Sequence, residues 1–123
     1  MENVVMTGPT GAIGTALIEK LIAEGVQVFA ICRPNSKRIK NLPRNPLLNI
    51  LECDISDLKK IPQLIDHNCD TFYHFAWLGT VGDARNDMNL QIKNIKYTID
   101  AVETAKELGC KTFIGAGSQA EYG

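Results

Sequence analysis

The chain has 123 residues and a net charge of −1, a balance that gives no reason to expect nucleic acid or an anionic membrane as partner. A composition of 45% hydrophobic and 22% charged residues is that of a soluble globular protein, and the length is that of one domain burying about two thirds of its surface. No apolar run reaches the length of a signal peptide or a membrane span, so the expected location is the cytoplasm.

The first strand is expected over residues 3–6, around Val4-Val5-Met6. It runs into the octapeptide Thr7-Gly8-Pro9-Thr10-Gly11-Ala12-Ile13-Gly14, and a helix over 12–24 carries the stripe Ile13, Leu17, Ile18, Leu21 and Ile22. A strand that turns at once into a helix beside a bound diphosphate leaves no room for side chains. Gly8 then makes the tight turn, Gly11 lets backbone N–H groups approach phosphate, and Gly14 lets the helix pack close on the strand. Gly25 closes the helix before a second strand over 26–31. A helix over 36–42, a strand over 48–52, a helix over 57–67 and a strand over 70–75 follow. After a break at Gly79 to Gly82 comes a long helix over 86–109, which Gly109 stops, and a fifth strand over 111–116. In that helix Ile92, Ile95, Ile99, Val102, Ala105 and Leu108 recur at three or four residues, which reads as one face against a sheet. Strands alternating with helices imply an α/β fold. The expected fold is a doubly wound parallel sheet between two helical layers, in strand order 3-2-1-4-5, forming a single domain over 1–123.

Several polar residues fall where such a sheet binds ligands. Arg33 follows the second strand, where an acid usually bonds the ribose 2′-hydroxyl of NAD; Arg instead suits the 2′-phosphate of NADP. Lys40 and Arg44 read as a solvated basic face. Asp54 ends the third strand, either to contact a ligand or to cap the next helix, a task for which Ser56 is better placed. His74 ends a buried strand and reads as a hydrogen-bonded structural residue, not a general base; His67 is given no role. Ser118 follows the fifth strand, placed to bond a substrate oxygen, and with no nearby His base it is a poor nucleophile. Cys32, Cys53, Cys69 and Cys110 lie 21, 16 and 41 residues apart with no CxxC, so they read as buried free thiols and no metal site is expected.

The spacing TGxxGxxG, Asp54, His74-Phe75-Ala76, Asn94 and the ending Ser118 to Gly123 together resemble the extended branch of the short-chain dehydrogenase/reductase family. That branch comprises the NAD(P)-dependent sugar-nucleotide epimerases and dehydratases, and the resemblance covers all 123 residues. It implies that Gly8, Thr10, Gly11, Ala12, Ile13 and Gly14 hold an NAD or NADP cofactor, with Arg33 favouring NADP. Asp54 would accept from the adenine amino group and Ile55 would pack on the ring. Phe75, Ala76 and Trp77 would pass the ribose and phosphates, although Trp77 stands where the family has a small residue. Asn94 would support the active site, with Tyr97 replacing the family's glycine. Ser118 would be the catalytic hydroxyl, and Tyr122 a structural tyrosine.

The family's proton acceptor is the Tyr of YxxxK, and this chain lacks the motif: Trp77 stands four residues after Tyr73 and Ala101 four after Tyr97. The resemblance therefore implies the amino-terminal part of a longer homodimeric enzyme with a nucleotide-sugar substrate, the part alone binding dinucleotide weakly and catalysing nothing. Two alternatives share the fold: a non-catalytic NADP-binding redox sensor, against which Ser118 weighs, and a reductase of small carbonyl compounds.

Overall fold

The computed structural model describes residues 2–66, 68–77 and 87–115. Five strands, β1 (Asn3–Thr7), β2 (Gln27–Cys32), β3 (Leu48–Glu52), β4 (Thr71–His74) and β5 (Thr112–Gly115), form one parallel sheet in the order β3-β2-β1-β4-β5. Parallel neighbours need crossovers. Helix α1 (Ala12–Ala23) makes the first, from β1 to β2, and α3 (Met88–Glu107) lies between β4 and β5. All five strands therefore end on one edge of the sheet, at Thr7, Cys32, Glu52, His74 and Gly115.

Each face of the sheet has its own core. Val4, Met6, Val28 and Tyr73 pack with Ile18 and Leu21 of α1 on one side. Val5, Phe29, Ile31 and Phe72 pack with Leu58, Ile61, Ala101, Ala105 and Leu108 on the other. The start of the sheet is pinned by Asp70, whose Oδ2 accepts from the N–H groups of Glu2 at 2.6 Å and Asn3 at 3.0 Å; those bonds hold its carboxyl below the usual carboxylate range. Cys32, Cys53 and Cys69 are buried and Cys110 half-buried, all free. Burial pushes the thiols of Cys32 and Cys110 up to about 11 and that of Cys69 to about 12. Among the described residues no helix is long and apolar enough to cross a membrane, and no cluster could hold a metal ion.

Three expectations are corrected here. The helix expected over 36–42 is a 3-10 helix over Lys37–Asn41, and the one over 57–67 is a 3-10 helix over Ile55–Lys60 followed by a single α-helical turn, α2 (Ile61–Leu64). Asp57, at φ −115° and ψ 22°, breaks the second run, and Ile65 is already extended; residue 67 lies outside the described residues. The expected face of α3 is also not one face. Ile92, Ile95 and Ile99 are 59%, 59% and 53% exposed, and Asn94, Ala101, Thr104, Ala105 and Leu108 point inward instead. At 3.6 residues per turn each step of three falls about 60° short of a full turn, so the run 99, 102, 105, 108 swings through about 180°. The expected pattern thus begins on the outside and ends on the inside. Small residues on the inner side let α3 approach the sheet, and Thr104 fixes it by donating from Oγ1 to the Leu58 carbonyl at 3.1 Å.

Candidate functional site

The turn from β1 into α1 uses its three glycines in three ways. Gly8 has φ +67°, and a Cβ on it would stand 2.7 Å from the Phe75 carbonyl carbon and 2.8 Å from the Ala76 nitrogen. Both the left-handed backbone and the closeness of the segment after β4 thus demand glycine. A Cβ on Gly14 would stand 2.5 Å from the Gly8 oxygen and 2.9 Å from the Pro9 Cα. The first turn of α1 therefore rests on its own loop, where the sequence suggested β1. Gly11 is different: its φ is −74° and a Cβ there would meet only the Gly8 oxygen, at 3.7 Å. The protein's own packing leaves this position open.

Gly11 is the N-cap of α1 and supplies no side-chain cap, so the N–H groups of Ala12, Ile13 and Gly14 face out of the helix start. Thr15 holds the loop from behind, its Oγ1 donating to the Pro9 carbonyl at 3.1 Å. Thr10 is half-buried and Ala12 and Ile13 are exposed at the rim. Free N–H groups, the positive end of the helix and an unfilled glycine surface form a cradle that fits a diphosphate.

Beside this cradle, Thr7 organises the end of β4. Its Oγ1 accepts from the N–H groups of Phe75 at 3.1 Å and Ala76 at 3.2 Å, and it lies 2.8 Å from His74 Nδ1. With two N–H donors directed at its oxygen, the Thr7 hydroxyl gives its proton to Nδ1, which leaves the ring hydrogen of neutral His74 on Nε2. His74 is buried, and burial pushes its pKa down to about 4. The ring is thus held by Thr7 and kept neutral by burial, the hydrogen-bonded setting expected of a histidine that ends a buried strand. His74 Nε2 and Trp77 Nε1 are buried without a hydrogen-bond partner among the described residues. Thr7 is the residue that sequence reasoning missed; its place immediately before Gly8, at the strand end, was the available signal.

On the other side of β1, Arg33 is exposed just past β2, in a tight turn where Ser36 N–H donates to the Arg33 carbonyl and Asn35 has φ 60°. Glu52 Oε1 accepts from the Asn35 N–H at 3.1 Å and ties this turn to β3. Asp54, not Ser56, is the N-cap of the 3-10 helix Ile55–Lys60: its Oδ1 accepts from Ser56 N–H at 3.0 Å and Ser56 Oγ at 2.8 Å. Asp54 caps because it sits one residue before the helix with extended backbone. The bonds from Ser56, with a smaller contribution from the Arg33 charge, hold its carboxyl below the usual range. Ile55 is half-buried and packs against the core.

Asn94 is buried on the sheet side of α3, its Nδ2 donating to Gln91 Oε1 at 3.2 Å. As a crossover helix, α3 runs opposite to the strands, which puts its amino-terminal half, with Asn94, toward the edge where they end. The topology thus gathers the glycine turn, Arg33, Asp54, Ile55, Phe75, Ala76, Trp77 and Asn94 at one edge of the sheet. Ser118, Tyr122 and the Gly79 to Gly82 break lie outside the described residues.

The sequence profile of the NAD dependent epimerase/dehydratase family matches residues 4–123. A bifunctional UDP-glucose 4-epimerase and UDP-xylose 4-epimerase 3 from Arabidopsis thaliana is 29% identical over 133 residues, covering 99% of this chain and 38% of that protein. Among solved structures, WbmH of Bordetella bronchiseptica in complex with NAD+ is 29% identical with a TM-score of 0.74, over 92% of this chain and 38% of that one. UDP-N-acetylglucosamine 4-epimerase from Methanobrevibacter ruminantium M1, in complex with UDP-N-acetylmuramic acid, is 28% identical with a TM-score of 0.78, over 99% and 39%. The chain spans about 38% of the length of the curated relatives it matches.

Proposed function

Because the chain belongs to the NAD dependent epimerase/dehydratase family, we propose that it is the cofactor-binding part of a longer enzyme acting on a nucleotide sugar. The observation that carries this reading is the cradle at Gly11, open to a ligand while Gly8 and Gly14 are closed by the protein's own backbone. Relatives named as UDP-sugar epimerases, and a similar structure solved with NAD+, support the substrate class and the cofactor.

In this reading the N–H groups of Ala12, Ile13 and Gly14, with Gly11 and Thr10, hold the diphosphate. Asp54 keeps Oδ2 for the adenine amino group, since both of its bonds to Ser56 fall on Oδ1, and Ile55 lies under the ring. Arg33 meets a ribose 2′-phosphate, so NADP is preferred to NAD. Phe75, Ala76 and Trp77 pass the second ribose. When bound, the nicotinamide supplies an acceptor for a hydride from a sugar carbon. Ser118 orients and polarises the sugar oxygen, Asn94 supports the site from α3, and the proton acceptor belongs to the rest of the longer protein. The enzyme works as a homodimer, and the chain alone binds dinucleotide weakly without turnover.

Titration of the chain with NADP and NAD tests this. NADP is expected to bind more tightly, and Arg33→Ala to remove the difference, about tenfold for a phosphate–guanidinium contact. Failure to bind either dinucleotide would overturn the cofactor reading. Conversion of UDP-glucose by the 123-residue chain alone would overturn the assignment of catalysis to the longer protein.

A further inference from the structure

Trp77 is the chain's single tryptophan. The segment leading to it is fixed twice, by the bonds from Phe75 and Ala76 N–H to Thr7 Oγ1 and by the approach of the same backbone to Gly8. Trp77 is the next residue, three beyond the end of β4, beside the diphosphate cradle. The residue as a whole is only half-buried, yet Nε1 is fully buried and has no partner among the described residues. An indole N–H can only donate, and folded proteins leave few buried donors unmet, so the atom points to an acceptor that a ligand brings.

His74 Nε2 shares that lack of a partner, but its ring is wholly buried, with the Phe72 and Phe113 rings 6.4 and 6.1 Å away by centroid. Trp77 stands past the strand, at the edge where ligands sit. The strand order then fixes which part of a dinucleotide it meets. A dinucleotide crossing where the order reverses, between β1 and β4, lays its adenosine over the β2–β3 side, with Arg33 and Asp54. The other half lies over β4. We infer that the Trp77 indole N–H donates a hydrogen bond to an oxygen of the non-adenosine half of the dinucleotide, making this residue a binding determinant through its side chain. The inference rests on the cofactor reading above.

The test compares the chain with Trp77→Phe, which keeps an aromatic ring and removes the donor. Affinity for NADP is expected to fall about two- to tenfold, the scale of one hydrogen bond, while affinity for 2′-AMP, which has only the adenosine half, stays unchanged. ADP-ribose weakening by the same factor assigns the acceptor to the diphosphate or second ribose; ADP-ribose unchanged assigns it to the nicotinamide amide. Unchanged NADP affinity overturns the inference, and so does an equal loss for 2′-AMP, which would make Trp77 a support of the whole site. A second measurement needs no variant: saturation with NADPH should quench the emission of this tryptophan by energy transfer to the dihydronicotinamide, and bound NADPH with undiminished emission overturns the inference. Failure of the wild-type chain to bind NADP at all marks failure of the cofactor reading itself, and the inference falls with it.

Discussion

At Gly11 and Gly14 the same substitution has opposite consequences. Ala at Gly14 drives a methyl group to within 2.5 Å of the Gly8 oxygen, so the chain should lose about 2 kcal/mol or more of stability in urea unfolding. Ala at Gly11 meets only ordinary contact at 3.7 Å with acceptable backbone, and its unfolding free energy should fall by no more than about 1 kcal/mol, the cost of Ala at an N-cap. Dinucleotide affinity should nevertheless drop, because the methyl group occupies the space of a phosphate. Equal stability losses in both variants would show that Gly11 serves the fold alone. The glycine spacing was legible in the sequence because it follows from covalent and steric rules at neighbouring positions. The atoms against each glycine were not, since Phe75 and Ala76 arrive from a strand 67 residues further on in register, Val4 facing Thr71. The exchange of capping roles between Asp54 and Ser56 has the same origin: a shift of one residue at a helix start decides which side chain reaches the free N–H groups.

Helix α3 shows what periodicity reports and what it omits. Apolar spacing identified the helix and its stop at Gly109, which has φ +79°. It could not tell a face against the sheet from a face prepared for something else, because both are apolar. Met88, Ile92, Ile95 and Ile99 line the outer side, all more than half exposed. The inner side is made of small and polar residues that close approach requires. Replacing Ile95 and Ile99 together by Glu should leave the unfolding free energy of the chain in urea within about 0.5 kcal/mol of wild type, since neither packs in the core. The proposed homodimer of the longer enzyme would seat on this exposed apolar face, so the same change should weaken any concentration-dependent self-association seen in sedimentation velocity. An unfolding free energy falling by several kcal/mol would instead place these isoleucines in the fold.

Taken as one molecule, the sheet was the most legible feature, because alternation of apolar strands with helices and a glycine turn after the first strand leaves few topologies. Shorter pieces were less so: 3-10 helices of five and six residues carry too little pattern to separate them from α-helix. Stability as a whole should respond to pH through His74. Folding keeps its ring neutral down to about 4, while the unfolded chain takes the proton near 6.5. The unfolded state therefore binds more protons between these values, and stability falls as pH drops through that window, by about 3 kcal/mol once pH reaches 4. The depressed carboxyls of Asp54 and Asp70 add their loss only below, near their ordinary 3.8. His74→Gln should flatten the dependence between about pH 7 and pH 5 in urea titrations; an unchanged slope would mean that another group dominates.

The strand at the centre of the sheet, β1, is made before its neighbours, and β2, at residues 27–32, supplies the partner for one of its two edges. Its other edge waits for β4, at residues 71–74. Until Thr71–His74 has been made, Val4, Val5 and Met6 therefore keep one strand edge unpaired, an interval in which another nascent chain can pair with them instead.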